Sequence, residues 1–398
     1  MHWQIFHGAA VTWIAGGILA LAWFSRIVEA AIGMPRVTDI SRPEWNRKPA
    51  AAKGDPRVSI VVPARNEEED IRETLRRLFA LDYSNYEIIA VDDRSTDRTG
   101  QIMDEVGASA RVQGLLSVIH VGELPKGWMG KTHAMWLAGQ RAIGDWLLFT
   151  DADVLFKPDS VRRAITYAEA ESADHVVLFP RMIMKRASER MMIAFFQALF
   201  VFGHRPWKVA DPKARDHMGV GAFNLVRRST YEEVGTYRAL RMEVLDDMKL
   251  GKVIKNAGFA QRNVFGEDLI SLHWAKGAFG IVNNLTKNFF AVLSFQWPRT
   301  IASIVGLGFL NLGPFLGVWL AHGWARVPYA IALGSLFLIY YGMSGRSAVP
   351  AYYFFLHPVS TSLFMYTLLR SMIQTLSNGG IVWRGTKYPL DELRKGMV

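Results

Sequence analysis

Asp151 and Asp153 close the short apolar run Trp146–Thr150. That run reads as a buried strand, and if the chain stays extended beyond it, residues i and i+2 point to one side. Two carboxylates converging at the C-terminal tip of a parallel strand form a hard-cation site, in the crevice where open α/β sheets take ligands. A second acidic group, Asp92-Asp93 with Asp97, follows the run Tyr86–Val91, and a third, Asp246-Asp247, lies further on. Carboxylate oxygens without a His or Cys cluster suit a hard divalent cation and not zinc. Lys126 and Lys131 flank a turn in which Gly127 and Gly130 permit close approach to phosphates. Together these residues point to metal-dependent chemistry on a phosphorylated substrate.

Taken singly, each pattern has a plainer explanation. Asp-rich turns cap helices, and surface lysines are usually just solvated. An Asp at a helix start can be solvated too, and Asp-x-Asp is short enough to arise by chance. The elements that would position them therefore matter. Val58–Val62 is a β-branched run ended by Pro63, and Asn66 can cap a helix whose first turn carries Glu67, Glu68 and Glu69. Ile71, Leu75, Leu78 and Phe79 recur at helical spacing. The next strand ends at Asp92, with Thr96 or Asp97 as the following cap. Leu115–His120 reads as a strand, Thr132–Ile143 as a helix and Trp146–Thr150 as a strand. Strands alternating with helices predict an α/β fold, a mostly parallel, doubly wound sheet.

This polar region lies between hydrophobic ends. Of 398 residues 50% are hydrophobic, enough to raise the question of a membrane. Ile5–Phe24 carries no formal charge over about 20 residues, roughly a bilayer's hydrocarbon core. Ala20-Leu-Ala22 resembles a cleavage site, but the start lacks a cationic n-region. Cations follow instead, at Arg26, Arg36, Arg42, Arg47, Lys48 and Lys53. By charge bias the segment is an anchor with the main domain in the cytoplasm. Ile301–Ala321, Val327–Met343 and Pro350–Leu369 are further apolar stretches. The run Met191–Phe202 is too short to span, and reads either as a buried core helix or as an interfacial one, with Phe279–Phe295 as an interfacial segment on the other flank. The absence of Cys excludes disulfides, thiolate metal sites and a thiol nucleophile. The net charge of +10 is dispersed and free of nucleic-acid motifs, so anionic lipid and a phosphorylated substrate explain it better than nucleic acid.

The motifs Ser59–Glu67, Val91–Asp97, Leu124–Lys131, Leu147–Asp153 and Leu245–Gly251 occur in an order and spacing that resembles the family 2 glycosyltransferases of the GT-A fold. The resemblance is strongest to membrane-anchored members that glycosylate lipids, such as ceramide glucosyltransferase and bacterial carotenoid- and hopanoid-associated enzymes. It covers roughly residues 55–290 and reaches Trp383-Arg384-Gly-Thr-Lys387-Tyr388, which resembles the ceramide enzyme's tail. The resemblance implies that Asp92 and Asp93 hold the uracil and ribose of a nucleotide sugar. It implies that Asp153, helped by Asp151, binds Mg2+ or Mn2+ bridging the diphosphate. Asp247 aligns with the base that takes the acceptor proton in an inverting transfer, and Asp246 is an alternative base. One departure is plain: no Gln-x-x-Arg-Trp follows the base. Trp274 and Lys287 stand nearest to its tryptophan and arginine, and the departure argues against a processive polysaccharide synthase.

The expected organisation is an anchor at 1–30, a linker at 31–56, a cytoplasmic GT-A domain at 57–298, transmembrane or re-entrant segments at 299–377 and a basic tail at 378–398. The tail carries Arg384, Lys387, Arg394 and Lys395, whereas Ala321–Val327 holds only Arg326. That bias, with His357-Pro358 interrupting the last apolar stretch, predicts that Pro350–Leu376 dips into the bilayer and returns. Trp383–Tyr388 would then stay on the cytoplasmic side, near the active site. The expected activity is transfer of a hexose from a nucleotide donor to a lipid hydroxyl in a multi-pass protein of a bacterial cell membrane. A polysaccharide synthase and a silent scaffold of the same fold are the alternatives, and the intact set Asp93, Asp151, Asp153 and Asp247 argues against the scaffold.

Overall fold

A parallel sheet grows from strands whose residues are buried on both faces. The first of them, Val58–Ala64, is buried along its whole length. The computed structural model describes residues 2–49, 54–109, 114–266, 268–347 and 349–398, with backbone alone for residues 2–9. Lys53 and the adjoining part of the expected linker lie outside the described residues. The principal strands are β1 (Val58–Ala64), β2 (Tyr86–Asp93), β3 (Leu116–Val121), β4 (Trp146–Phe149), β5 (His175–Leu178), β6 (Asn224–Arg227) and β7 (Gln261–Val264). The principal helices are α1 (His2–Gly33), α2 (Ile71–Leu78), α3 (Thr99–Gly107), α4 (Gly130–Arg141), α5 (Ser160–Ala170), α6 (Ala187–Gly203), α7 (Asp246–Asn256), α8 (Gly277–Val292), α9 (Trp297–Leu320), α10 (Val327–Ser347) and α11 (His357–Ser377).

The chain forms two units. One comprises Val37–Ile183, Lys208–His273 and Val382–Val398 and contains a seven-stranded sheet in the order β3-β2-β1-β4-β6-β5-β7. The β1–β2, β1–β4, β2–β3 and β5–β7 pairs are parallel, whereas β6 runs antiparallel to β4 and β5. The sheet is therefore mixed but mostly parallel, with the GT-A architecture expected.

Two local expectations are corrected. β1 does not end at Pro63 but runs on through it, with Pro63 beside Val91 in register. The last β4 residue opposite β1 is Phe149, against Val61. Pro63 shares the parity of Val61, whose carbonyl accepts Thr150 N–H at 3.1 Å. Its missing donor thus faces the side where β4 has ended, and no ladder bond is lost. Asn66 caps no helix. It takes a left-handed φ of 56°, and α2 starts only at Ile71. Its Oδ1 instead accepts Thr96 N–H at 2.8 Å, bracing the loops that follow β1 and β2.

One sheet face carries Val61, Ile89, Val91, Leu147, Phe149 and Val226. Against it pack Ala134, Met135 and Ala138 of α4 with Leu250 and Ile254 of α7. Truncating a buried Leu or Ile to Ala typically costs about 2–5 kcal/mol, so these contacts fix both helices firmly. A buried polar cluster adds register. His175 Nε2 meets Asn224 Oδ1 at 2.9 Å and its Nδ1 meets Gln261 Nε2 at 2.8 Å, while Gln261 Nε2 also donates to the Gly251 carbonyl of α7 at 3.0 Å. Burial pushes the His175 imidazole down to about 4, so it serves here as a neutral connector.

The second unit comprises residues 1–36, Met184–Trp207 and Trp274–Ile381. Three of its helices are long and apolar enough to cross a membrane: Ala10–Arg36, Trp297–Leu320 and Gly323–Ser347. The last apolar stretch is not among them. His357-Pro358 does not interrupt a helix there but opens α11, because Pro is tolerated in a first turn. Ser360, Thr361, Thr367, Ser371 and Thr375 are buried on α11. In α6, Met192, Ile193, Phe195, Ala198 and Val201 are buried, the arrangement of a core helix within this unit.

Candidate active site

Four segments at the C-terminal side of β1, β2 and β4 and at the start of α7 bring the predicted acidic residues into the sheet-bearing unit. β2 extends through Asp92 and Asp93 because β3 pairs with it as far as Val121. Adjacent strand residues face opposite ways, and these two carboxylates separate accordingly. Asp92 Oδ2 meets His120 Nδ1 at 3.1 Å, and Asp92 Oδ1 accepts Ser95 N–H at 3.1 Å. Asp93 turns to the other side. It is 4% exposed and held by Arg94, whose Nε lies 2.8 Å from Oδ1, with Arg65 Nη1 3.9 Å from Oδ2. A Cβ on Gly130 would stand 2.1 Å from Asp93 Oδ2, so only glycine lets the start of α4 approach this carboxylate. The structure therefore does not bring Asp92 and Asp93 to one ligand-facing surface.

β4 ends at Phe149, and Ala152 and Asp153 lie in a turn. The extended geometry expected past the strand is absent because the antiparallel partner β6 stops opposite Phe149 at Asn224. Thr74 Oγ1 holds the turn by donating to the Ala152 carbonyl at 2.7 Å. Asp151 and Asp153 still act on each other. Burial, then the charges of Asp151 and Glu67, push the Asp153 carboxyl up to about 7. Glu67 is itself raised by burial, against the opposing pull of Arg384.

α7 begins with Asp246-Asp247, where the helix dipole favours negative charge. Asp247 Oδ2 accepts Gly221 N–H at 2.8 Å, and Oδ1 accepts Met248 N–H at 2.7 Å. A Cβ on Gly219 would stand 1.8 Å from the Asp247 carbonyl oxygen, so the chain passes α7 there only because that residue is glycine. Burial raises the Asp247 carboxyl above the usual carboxylate range, with Lys131 and the two amides pulling the other way. Lys131, one residue into α4, has Nζ 2.8 Å from Asp151 Oδ1 and 3.6 Å from Asp246 Oδ2. Burial opposes its charge, but Asp151, Asp246 and Asp247 outweigh that and hold the ammonium protonated.

Asp151, Asp246, Asp247 and Lys131 thus form one cluster, with Asp153 coupled to it through Asp151. The two carboxylates of the Asp151–Asp153 turn fit a hard divalent cation. Asp153 is raised by burial and then by the neighbouring charges of Asp151 and Glu67, and such a cation would offset those charges. Among the described residues no group of three or more His, Cys, Asp or Glu makes a complete protein cage, so a ligand and water would fill the remaining positions.

Lys126 is exposed. Trp274 and Lys287 belong to the other unit. There Trp274 packs on Phe196 with ring centroids 5.3 Å apart, and its carbonyl accepts from Asn284 Nδ2 at 2.8 Å, while Lys287 lies on α8.

Several residues escaped the sequence reading. Arg65 and Arg94 face Asp93, and Trp128, His133 and Trp136 form an aromatic cluster around the first turns of α4. His133 is 5% exposed and lowered by burial, with Asp93 and Arg94 the charges acting on it. The signal was the Gly130-to-His133 spacing, one helical turn. The tail contributes too. Arg384 pairs with Glu67, and the Tyr388 hydroxyl accepts Gly130 N–H at 3.1 Å.

Residues 59–247 match the family model described as glycosyl transferase family 2. A 4,4'-diaponeurosporenoate glycosyltransferase of Staphylococcus haemolyticus is 24% identical over 62% of this chain and 65% of its own length. A beta-monoglucosyldiacylglycerol synthase of Synechocystis is 30% identical over 39% of this chain and 32% of its own length. The matched stretch spans less than two thirds of either relative. Among solved structures, a mannosyltransferase of Pyrobaculum calidifontis in complex with GDP-Man and Mn2+ superposes with a TM-score of 0.52, covering 92% of this chain and 99% of that one at 19% identity. That is a likeness of fold.

Proposed function

We propose, from the match of residues 59–247 to the family 2 glycosyltransferase model, that the protein transfers a hexose from a nucleotide-diphosphate sugar to a lipid hydroxyl, with inversion at the anomeric carbon. The observation that carries the proposal is the cluster of Asp247, Asp151 and Lys131, in which an oriented carboxylate stands beside a phosphate-compatible cation and a metal-compatible turn.

Asp247 is the proposed base. Its oxygens are aimed by two amides, and its raised carboxyl gives it more proton affinity than a solvated aspartate has. The acceptor hydroxyl loses its proton to Asp247 as its oxygen bonds to the anomeric carbon. The bond from that carbon to the diphosphate breaks, and the nucleoside diphosphate leaves with the electron pair. Lys131 lies 2.8 Å from Asp151 and can reach a phosphate oxygen from α4, where it offsets negative charge on the leaving group. Asp153 and Asp151 are the proposed ligands of Mg2+ or Mn2+. When bound, that ion supplies positive charge against the diphosphate. Asp93 is assigned to the nucleoside, whereas Asp92, committed to His120 and Ser95, is assigned to holding the end of β2.

The lipid acceptor is inferred from two features. Both curated relatives cited above are named for transfer in lipid-type chemistry. The three apolar helices are long enough to place the protein in a bilayer. The chain passes between its two units five times, after Arg36, Ile183, Trp207, His273 and Ile381. Positive charge after the first helix favours the cytoplasmic side for the catalytic unit. Release of nucleoside diphosphate from UDP- or GDP-hexose by the purified protein, with lipid extract present, tests the proposal. Release that EDTA abolishes and Mn2+ restores supports it. Full release in excess EDTA removes the metal, and no release with any donor removes the transferase.

A further inference from the structure

We propose that the C-terminal segment Arg384–Tyr388 is a working part of the donor site and that the Tyr388 hydroxyl sets donor affinity. This rests on the site taking a nucleotide sugar. Residues of this segment meet three separate parts of the crevice rim. After β1, Arg384 pairs with the Glu67 carboxylate and donates to the Arg65 carbonyl, while Arg65 Nη1 donates to Thr386 Oγ1 at 3.2 Å. After β2, the Tyr388 side chain lies close enough to Arg94, the residue that grips Asp93, to act on its charge. At the start of α4, the Gly130 N–H donates to the Tyr388 hydroxyl at 3.1 Å.

Tyr388 is 4% exposed, and a buried hydroxyl is worth having only if its bonds are used. It has two acceptor directions and one hydrogen. Gly130 supplies a donor to one acceptor direction, and the hydrogen is there to be given to a ligand oxygen or nitrogen beside Asp93. The segment is tethered beyond Tyr388 as well. Lys252 Nζ donates to the Val398 carbonyl at 3.1 Å, and Val398 N–H donates to Glu243, three residues before α7. The strap is therefore fixed on the Asp93 side and on the Asp247 side of the same unit. Arg384 acts as a positioning residue that keeps Glu67 matched by a positive charge, whereas Tyr388 holds the first amide of α4 and meets the donor itself.

The test compares full-length wild type, Tyr388→Phe, Arg384→Lys and Arg384→Ala in detergent, using calorimetric titration of UDP and GDP with Mn2+ together with steady-state kinetics. Loss of one hydroxyl bond is expected to weaken nucleotide binding about tenfold. Tyr388→Phe should raise the donor KM by that factor, with kcat, acceptor KM and melting temperature close to wild type. Arg384→Ala should behave alike, and Arg384→Lys should regain most of the affinity. Tyr388→Phe and Arg384→Ala binding nucleotide as wild type does would overturn the tail's role and leave the transferase standing. A lowered melting temperature with unchanged donor KM would do the same, by reducing the segment to packing. Wild type binding neither nucleotide would overturn both.

Discussion

Lys131 Nζ lies 2.8 Å from Asp151 Oδ1 and 3.6 Å from Asp246 Oδ2, so one ammonium on α4 joins the turn after β4 to the first residue of α7. Two segments 95 positions apart in the sequence (246 − 151) are thereby held at one charge. Lys131→Met keeps the stem and removes the ammonium that faces Asp151 and Asp246. Breaking a buried ion pair costs about 3 kcal/mol at the lower end, which suits a cluster with Asp151 part-exposed. Chemical denaturation should show a loss of that order, and turnover should fall with it. A variant of wild-type stability and rate would show that the cluster is incidental.

The base assignment separates two neighbours. Asp247 is aimed by Gly221 and Met248, whereas Asp246 faces Lys131. Loss of a general base costs roughly 10²- to 10⁴-fold in rate. Asp247→Asn should lower kcat by that factor with nucleotide affinity nearly intact. Asp246→Asn should mainly destabilise. The opposite pattern in kinetics would move the base by one residue.

His120 gives the fold a pH dependence of known sign. Its ring lies 3.1 Å from Asp92 and 3.0 Å from Asp104, and these bonds raise its pKa above 6.5. A raised pKa in the folded state means stabilisation that is full below the unfolded value and lost as pH rises through the folded one. The melting temperature of wild type should therefore fall more between about pH 6 and about pH 9 than that of His120→Gln. Parallel curves for the two proteins would place no stabilisation in this bridge.

The strands and the carboxylates were legible because both leave local marks: β-branched runs, and acidic residues at their ends. β2, β3, α4 and β4 fall within two residues of their expected bounds. Pro63 misled because its tolerance depends on where β4 stops, a fact of the partner strand. Asp92 and Asp93 looked equivalent in sequence, yet strand alternation sends one to His120 and the other to Arg94. Lys131 was a candidate for phosphate alone, since no local pattern shows that it meets Asp246. The tail contacts at Arg384 and Tyr388 span more than 250 positions, and only the resemblance of the tail motif pointed to them.

Topology can be read from two added cysteines, since the chain has none of its own. Were the three long apolar helices to cross the membrane with the catalytic unit in the cytoplasm, as proposed, α9 and α10 would form an out-and-back pair. On that reading α11 would not cross and the tail would remain cytoplasmic. Ser377→Cys and Thr386→Cys should resist an impermeant maleimide in intact cells and react after permeabilisation. Labelling of both from outside would refute this arrangement.

The most direct measurement follows a labelled sugar from a nucleotide donor into membrane lipid. Membranes containing the protein are incubated with radiolabelled UDP- and GDP-hexoses and then partitioned between water and organic solvent. Label should enter the organic phase as a small glycolipid with wild type, fail to do so in excess EDTA, and fail with Asp153→Ala even though that variant still folds and inserts. Label that stays in water with every donor, collects as an insoluble polymer, or reaches lipid equally well with Asp153→Ala would contradict a metal-dependent lipid glycosyltransferase.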